Sequence, residues 1–169
     1  PRFPEVLYAG TSVVMYKSRD RGARWELLNR GLIEGEVGTA MALGVNAISV
    51  DPHDTNRLVI ATGKGIFVSR DGGARWESRS VGPAVPFMTA VQRDPGDRMT
   101  LYAGGDHGIF VSRDGGDTWT AVAAEPSPRV VRAVAVDPSS PGVVYAGTQK
   151  GLLKSTDHGA TWSRIEGLR

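Results

Sequence analysis

The sequence predicts an all-β fold: a β-propeller of about four blades, each a sheet of four antiparallel strands, with the first blade lacking its innermost strand. Three observations predict it. All four Trp lie in one recurring eight-residue string, at positions 25, 76, 119 and 162, so successive copies are offset by 51, 43 and 43 residues. Each string is preceded by the same succession of short apolar runs, bounded by Asp-Pro, Gly and Asp-Gly turns at roughly ten-residue spacing. No segment keeps a 3.6-residue period over ten residues, so a helical solenoid is excluded. A four-stranded unit of about 43 residues is a propeller blade.

The strands, A to D outward from the ring centre, follow in order. Strand A is read from Val45-Asn-Ala-Ile-Ser-Val-Asp51-Pro52, Met88-Thr-Ala-Val-Gln-Arg-Asp94-Pro95 and Val131-Arg-Ala-Val-Ala-Val-Asp137-Pro138. Strand B is Leu7-Tyr-Ala-Gly10, Leu58-Val-Ile-Ala-Thr-Gly63, Leu101-Tyr-Ala-Gly104 and Val144-Tyr-Ala-Gly147. Strand C is Gly65-Ile-Phe-Val-Ser69, Gly108-Ile-Phe-Val-Ser112 and Gly151-Leu-Leu-Lys-Ser155, and strand D opens at each Trp. The blades cover about 1–30 (partial), 45–80, 88–123 and 131–166 of a single region, 1–169, with an insert at 31–44.

The C–D hairpins carry Ser18, Asp20, Gly22 and Trp25; Ser69, Asp71, Gly73 and Trp76; Ser112, Asp114, Gly116 and Trp119; and Ser155, Asp157, Gly159 and Trp162. A short Asp side chain accepts from backbone N–H groups of its own turn, and the Ser hydroxyl adds another local bond. The Gly permits positive φ. The Trp is expected between neighbouring blades. One copy stands in every blade, whereas an active site must break symmetry, so these residues read as structural rather than catalytic or metal-binding.

In repeat register the chain starts just after the end of a first strand A. It therefore holds fifteen strands, one short of four blades. An open propeller exposes blade faces and an unpaired edge. Three completions are expected, in this order: further chain, a second copy or another subunit, or a four-bladed ring with one short blade.

Composition narrows the function. Twenty basic against 18 acidic residues leave a net charge of +2, and no run of five like charges exists, so nucleic-acid binding has no support. The longest uncharged stretch, Val37 to Val50, is too short and Gly-interrupted to serve as a transmembrane segment. There is no Cys, hence no thiolate metal site or Cys nucleophile. No phosphate loop, zinc motif, EF-hand loop or Gly-x-Ser-x-Gly elbow appears, so neither cofactor nor metal is expected.

The Ser-x-Asp-x-Gly-x-Thr-Trp string resembles the Asp-box, or BNR repeat. The flanking text is similar to propellers of the xyloglucanase-like, sortilin-like and photosystem-stability-factor-like groups. That resemblance covers nearly the whole chain and implies the propeller fold. It leaves function open, since sialidases, other glycosidases, receptors and assembly factors share it. The sialidase Arg-Ile-Pro element is not matched; Arg2-Phe-Pro4 echoes it only in an A–B turn. The Asp-Val-Gly-Gly-type segment of xyloglucanases is also missing. By resemblance alone, an extracytoplasmic location, periplasmic or secreted, is expected.

Function is expected where the repeats differ. The insert and the B–C tips share the face formed by D–A and B–C loops, opposite the boxes. Glu34, Glu36 and Asp106 are its weak catalytic candidates, as the asymmetric acids that could flank a sugar. His107, Arg79 and Arg129 are the binding candidates. The favoured reading is a non-catalytic interaction or assembly module that binds a protein or glycan partner through this face. The alternative is a glycoside hydrolase of xyloglucanase or sialidase type acting on a polysaccharide, with catalytic residues partly outside the chain.

Overall fold

The computed structural model describes residues 5–32, 43–79, 87–122 and 130–167. Its strands form four antiparallel sheets in chain order. The first holds β1 (Leu7–Gly10), β2 (Met15–Ser18) and β3 (Glu26–Leu28). The second holds β4 (Val45–Val50), β5 (Leu58–Thr62), β6 (Gly65–Ser69) and β7 (Glu77–Arg79). The third holds β8 (Met88–Arg93), β9 (Leu101–Gly105), β10 (Gly108–Ser112) and β11 (Thr120–Ala121). The fourth holds β12 (Val131–Val136), β13 (Val144–Thr148), β14 (Gly151–Ser155) and β15 (Ser163–Arg164). Each sheet is a simple meander, and the sequence expectation of three strands followed by three sets of four holds among the described residues.

Side-chain alternation turns these sheets into a stack. In the second sheet Leu58, Ile60 and Phe67 face the first sheet, where they pack with Met15, Leu28 and Trp76. Val59, Ala61, Ile66 and Val68 face the third, against Met88, Leu101, Phe110 and Trp119. Tyr102, Ile109 and Val111 then pack against Val131, Val144, Leu153 and Trp162 of the fourth. Strands β5, β6, β9 and β10 are thus buried on both faces. That is why they read as continuous apolar runs rather than alternating ones. Each fully buried Leu or Ile contributes on the order of 1.5–3 kcal/mol.

The Trp expectation holds for three of four. Trp76, Trp119 and Trp162 each reach across to the preceding sheet and are buried, whereas Trp25 is 45% exposed. Its inward side faces no preceding sheet among the described residues, and Leu7 and Leu27 are exposed with it.

Polar bonds stitch the sheets together. A bulge at the start of each innermost strand lies between Val45 and Ala47, Met88 and Ala90, and Val131 and Ala133. A bulge re-aims the extra side chain. Asn46 accordingly donates to the Met88 carbonyl at 2.7 Å, and Thr89 to the Val131 carbonyl at 2.5 Å, each across to the next sheet's innermost strand. Arg93 is a buried charge where the other repeats carry Val50 and Val136. Burial lowers the pKa of its guanidinium, and the opposite charge of Asp51 partly offsets that. Arg98 stands 3.3 Å from Asp51, which is itself buried, and links the third sheet to the second.

Candidate functional site

The C–D hairpins repeat one hydrogen-bonded device. Ser69 Oγ donates to Asp71 Oδ1 at 2.9 Å and accepts from the Gly73 N–H at 2.8 Å, while the Arg75 N–H donates to Asp71 at 2.9 Å. The same three bonds recur around Asp20, Asp114 and Asp157. Gly22, Gly73, Gly116 and Gly159 all have positive φ, which a side chain would strain. The indole N–H of Trp25, Trp119 and Trp162 donates to the carbonyl of its own box glycine at 3.0 Å, a bond the sequence pattern does not announce.

These bonds stabilise the ionised carboxylates. The Thr161 hydroxyl, the Thr161 N–H and the Ser155 hydroxyl hold Asp157 down at about 2. At Asp71 burial opposes ionisation, but the Arg75 N–H and Ser69 hydroxyl outweigh it and the pKa is lowered. Asp114 behaves likewise, through Thr118 and Ser112. Each of these carboxylates is held by hydrogen bonds from its own turn. A cleft of about 400 Å³ beside Asp114, between the third and fourth sheets, has smaller counterparts beside Asp20 and Asp71 and so follows the repeat.

The opposite face is built by the B–C hairpins and the chain entering each innermost strand. The Gly63 N–H donates to the Leu43 carbonyl at 2.8 Å, Asp106 N–H to Phe87 at 3.1 Å, and Gln149 N–H to Val130 at 3.3 Å. These bonds bring the B–C tips and the ends of the D–A connections together. Asp106 and His107 are exposed at the tip between β9 and β10. Lys64 occupies the neighbouring tip, where its N–H donates to Thr62 Oγ1 at 3.0 Å. Between the two tips stands Phe87, 45% exposed, with its ring lying over Gly63: a Cβ built there would meet Phe87 Cε2 at 3.2 Å. Sequence reasoning passed over Phe87 because the equivalent positions, Gly44 and Val130, are not aromatic, so no repeated pattern marks it.

Arg79 sits elsewhere. Its guanidinium donates to Glu77 at 2.7 Å and to Asp117 at 3.2 Å, joining the outer strand of the second sheet to the box turn of the third. Glu34, Glu36 and Arg129 lie outside the described residues, as does most of the 31–44 insert. Among the described residues no three His, Cys, Asp or Glu side chains converge as a metal site, and no helix is long and apolar enough to cross a membrane.

The repeat and the fold match known proteins. The BNR/Asp-box repeat model matches residues 110–121 and 153–164. No curated protein sequence matches the chain. Among solved structures, an ancestral GH74 enzyme aligns over 100% of the chain and 23% of its own, with a TM-score of 0.80 and 26% identity. The GH74 xyloglucanase from Xanthomonas campestris aligns over 98% of the chain and 29% of its own, with a TM-score of 0.77 and 21% identity. YCF48 bound to a D1 peptide aligns over 95% and 51%, with a TM-score of 0.66 and 18% identity. The chain therefore spans less than a third of the GH74 proteins and about half of YCF48. It carries Asp-box repeats and folds as blades of an Asp-box β-propeller. These neighbours include glycoside hydrolases and a peptide-bound propeller, so the class is defined without a single activity.

Proposed function

We propose that the chain is a non-catalytic propeller module that binds a protein or glycan partner through the face formed by the B–C tips and D–A connections. Phe87 carries the reading. An exposed aromatic held in place between a Lys64 tip and an Asp106-His107 tip supplies apolar contact area at low entropic cost, with polar groups at its rim. The YCF48 neighbour, bound to a peptide, supports a binding role for this architecture. Extracytoplasmic residence and completion of the ring by further chain or another subunit belong to the same reading.

The second reading, a carbohydrate-active propeller, is favoured by the 26% identity to a GH74 enzyme. Incubation with xyloglucan and β-glucan oligosaccharides separates the two. The binding-module reading expects no new reducing ends, and loss of any glycan binding on Phe87→Ala. Turnover that disappears on Asp106→Asn would overturn it in favour of hydrolysis.

A further inference from the structure

In three of the four repeats an arginine follows the box serine: Arg19, Arg70 and Arg113. What faces that arginine differs from sheet to sheet. Arg19 Nε lies 3.0 Å from Glu26, on the outer strand of its own sheet. Arg70 holds two carboxylates, Glu77 of its own outer strand at 3.7 Å and Asp117 in the box turn of the third sheet. Arg79 bridges the same two acids and spans the gap between the second and third sheets.

One repeat later each of those partners is replaced. Thr120 pairs with Val111 as Glu77 pairs with Val68, so it holds the place of Glu77. By the same register Val122 holds the place of Arg79, and Ala160 that of Asp117 in the next box turn. Arg113 is exposed and its Nη2 donates to the His158 carbonyl at 3.2 Å, but among the described residues it forms no ion pair. Asp97 is close enough for Arg113 to help lower its pKa, yet it does not line the cleft. Loss of the plug leaves a cavity. The cleft between the third and fourth sheets measures about 400 Å³, against about 120 Å³ beside Arg70. Its wall combines Val111, Ala121, Val122 and Ala160 with Arg113.

We propose that this cleft binds a short aliphatic carboxylic acid, whose carboxylate pairs with Arg113 and whose chain lies against Val111, Val122 and Ala160. The ligand carboxylate takes the role that Glu77 and Asp117 have beside Arg70, and its chain takes the space of the Arg79 side chain. A guanidinium presents paired N–H donors to a carboxylate, and a cleft of this size suits a small ligand. Asp114 also borders the cleft, just as Asp71 borders the one beside Arg70, where two carboxylates are nonetheless held. No aromatic ring stands among the described lining residues for a sugar to stack on, which favours an alkyl chain. Lys64, Phe87 and Asp106 take no part in this wall, so the proposal stands or falls separately from the function above.

Titrating sodium hexanoate into the full chain, followed by methyl NMR, tests it. The Val111, Val122 and Ala160 methyl signals are expected to shift saturably. Hexanol, which has the chain without the charge, should bind at least about 10-fold more weakly. Arg113→Gln should weaken hexanoate by about 10-fold or more while moving Tm by no more than about 2 °C. The triple variant Thr120→Glu, Val122→Arg and Ala160→Asp copies the neighbouring junction and should abolish binding in a chain that still melts cooperatively. Arg70→Gln, at the plugged junction, should leave the hexanoate isotherm unchanged. Equal binding of hexanol and hexanoate, undiminished binding in Arg113→Gln, or shifts confined to residues outside the cleft would overturn the proposal.

Discussion

Trp76 and Trp25 hold the same place in consecutive repeats, yet Trp76 is 2% exposed and Trp25 is 45% exposed. The backbone N–H of Trp76 donates to the Arg30 carbonyl at 2.9 Å, and its ring packs in the core with Leu28 of the preceding sheet. The indole N–H of Trp25 donates to its own Gly22 carbonyl, and the ring has no such sheet beside it among the described residues.

Trp76→Ala should therefore lower stability by about 3–5 kcal/mol, the usual cost of a large cavity. Trp25→Ala should cost less than about 1 kcal/mol. Urea midpoints of the two variants at constant m-value check this, and equal losses would contradict the packing asymmetry.

Asp114 accepts from the Thr118 N–H at 2.9 Å and from the Thr118 hydroxyl at 2.5 Å. Asp114→Ala removes both and is expected to cost about 1–3 kcal/mol in stability, with no change in ligand affinity at the loop face. Thermal melting and a binding isotherm on the same variant test it; lost affinity at unchanged Tm would give Asp114 a role beyond the turn.

Phe87→Ala should do the reverse. The ring is exposed and covers Gly63 from one side, so its removal should shift Tm by only about 1–3 °C while abolishing binding at the loop face. A large loss of stability would make Phe87 a structural cover for Gly63.

Acid should loosen the box turns. The folded-state pKa of Asp157 is about 2, below its ordinary value of 3.8. A depressed folded pKa means that the stabilisation is fully present above the ordinary value and is lost as pH falls through about 2. Asp20, Asp71 and Asp114 shift in the same direction and add to the effect. Titrating the carboxyl carbons by NMR checks the window. Thr161→Val, which removes the first of the bonds to Asp157, should raise its pKa toward the ordinary value.

The strand succession was legible because each strand is bounded by turn residues that act locally: Asp51-Pro52, Gly63, and the Ser69-Asp71-Gly73 hairpin. The box bonds were legible for the same reason, as they join residues two to four apart. Phe87 was not, because its ring meets Gly63 and its carbonyl meets Asp106, 24 and 19 positions away, and its repeat equivalents Gly44 and Val130 are not aromatic. Arg79 was read as a candidate binding residue of the loop face, and its pairing with Asp117 of the next sheet was not legible in the sequence.

Local chemistry, repeated four times, determined by itself that this chain makes short antiparallel strands, Asp-locked hairpins and sheets of propeller size. Only the tertiary structure decided which faces of those sheets are spoken for. Tyr8 with Lys17 and Tyr145 with Lys154 are equivalent pairs in sequence, but one closes on Gly72 and the other faces outward. The physical reason is that a side chain's neighbour across a sheet-to-sheet junction lies about one repeat away in the chain, beyond the reach of turn propensity and strand alternation.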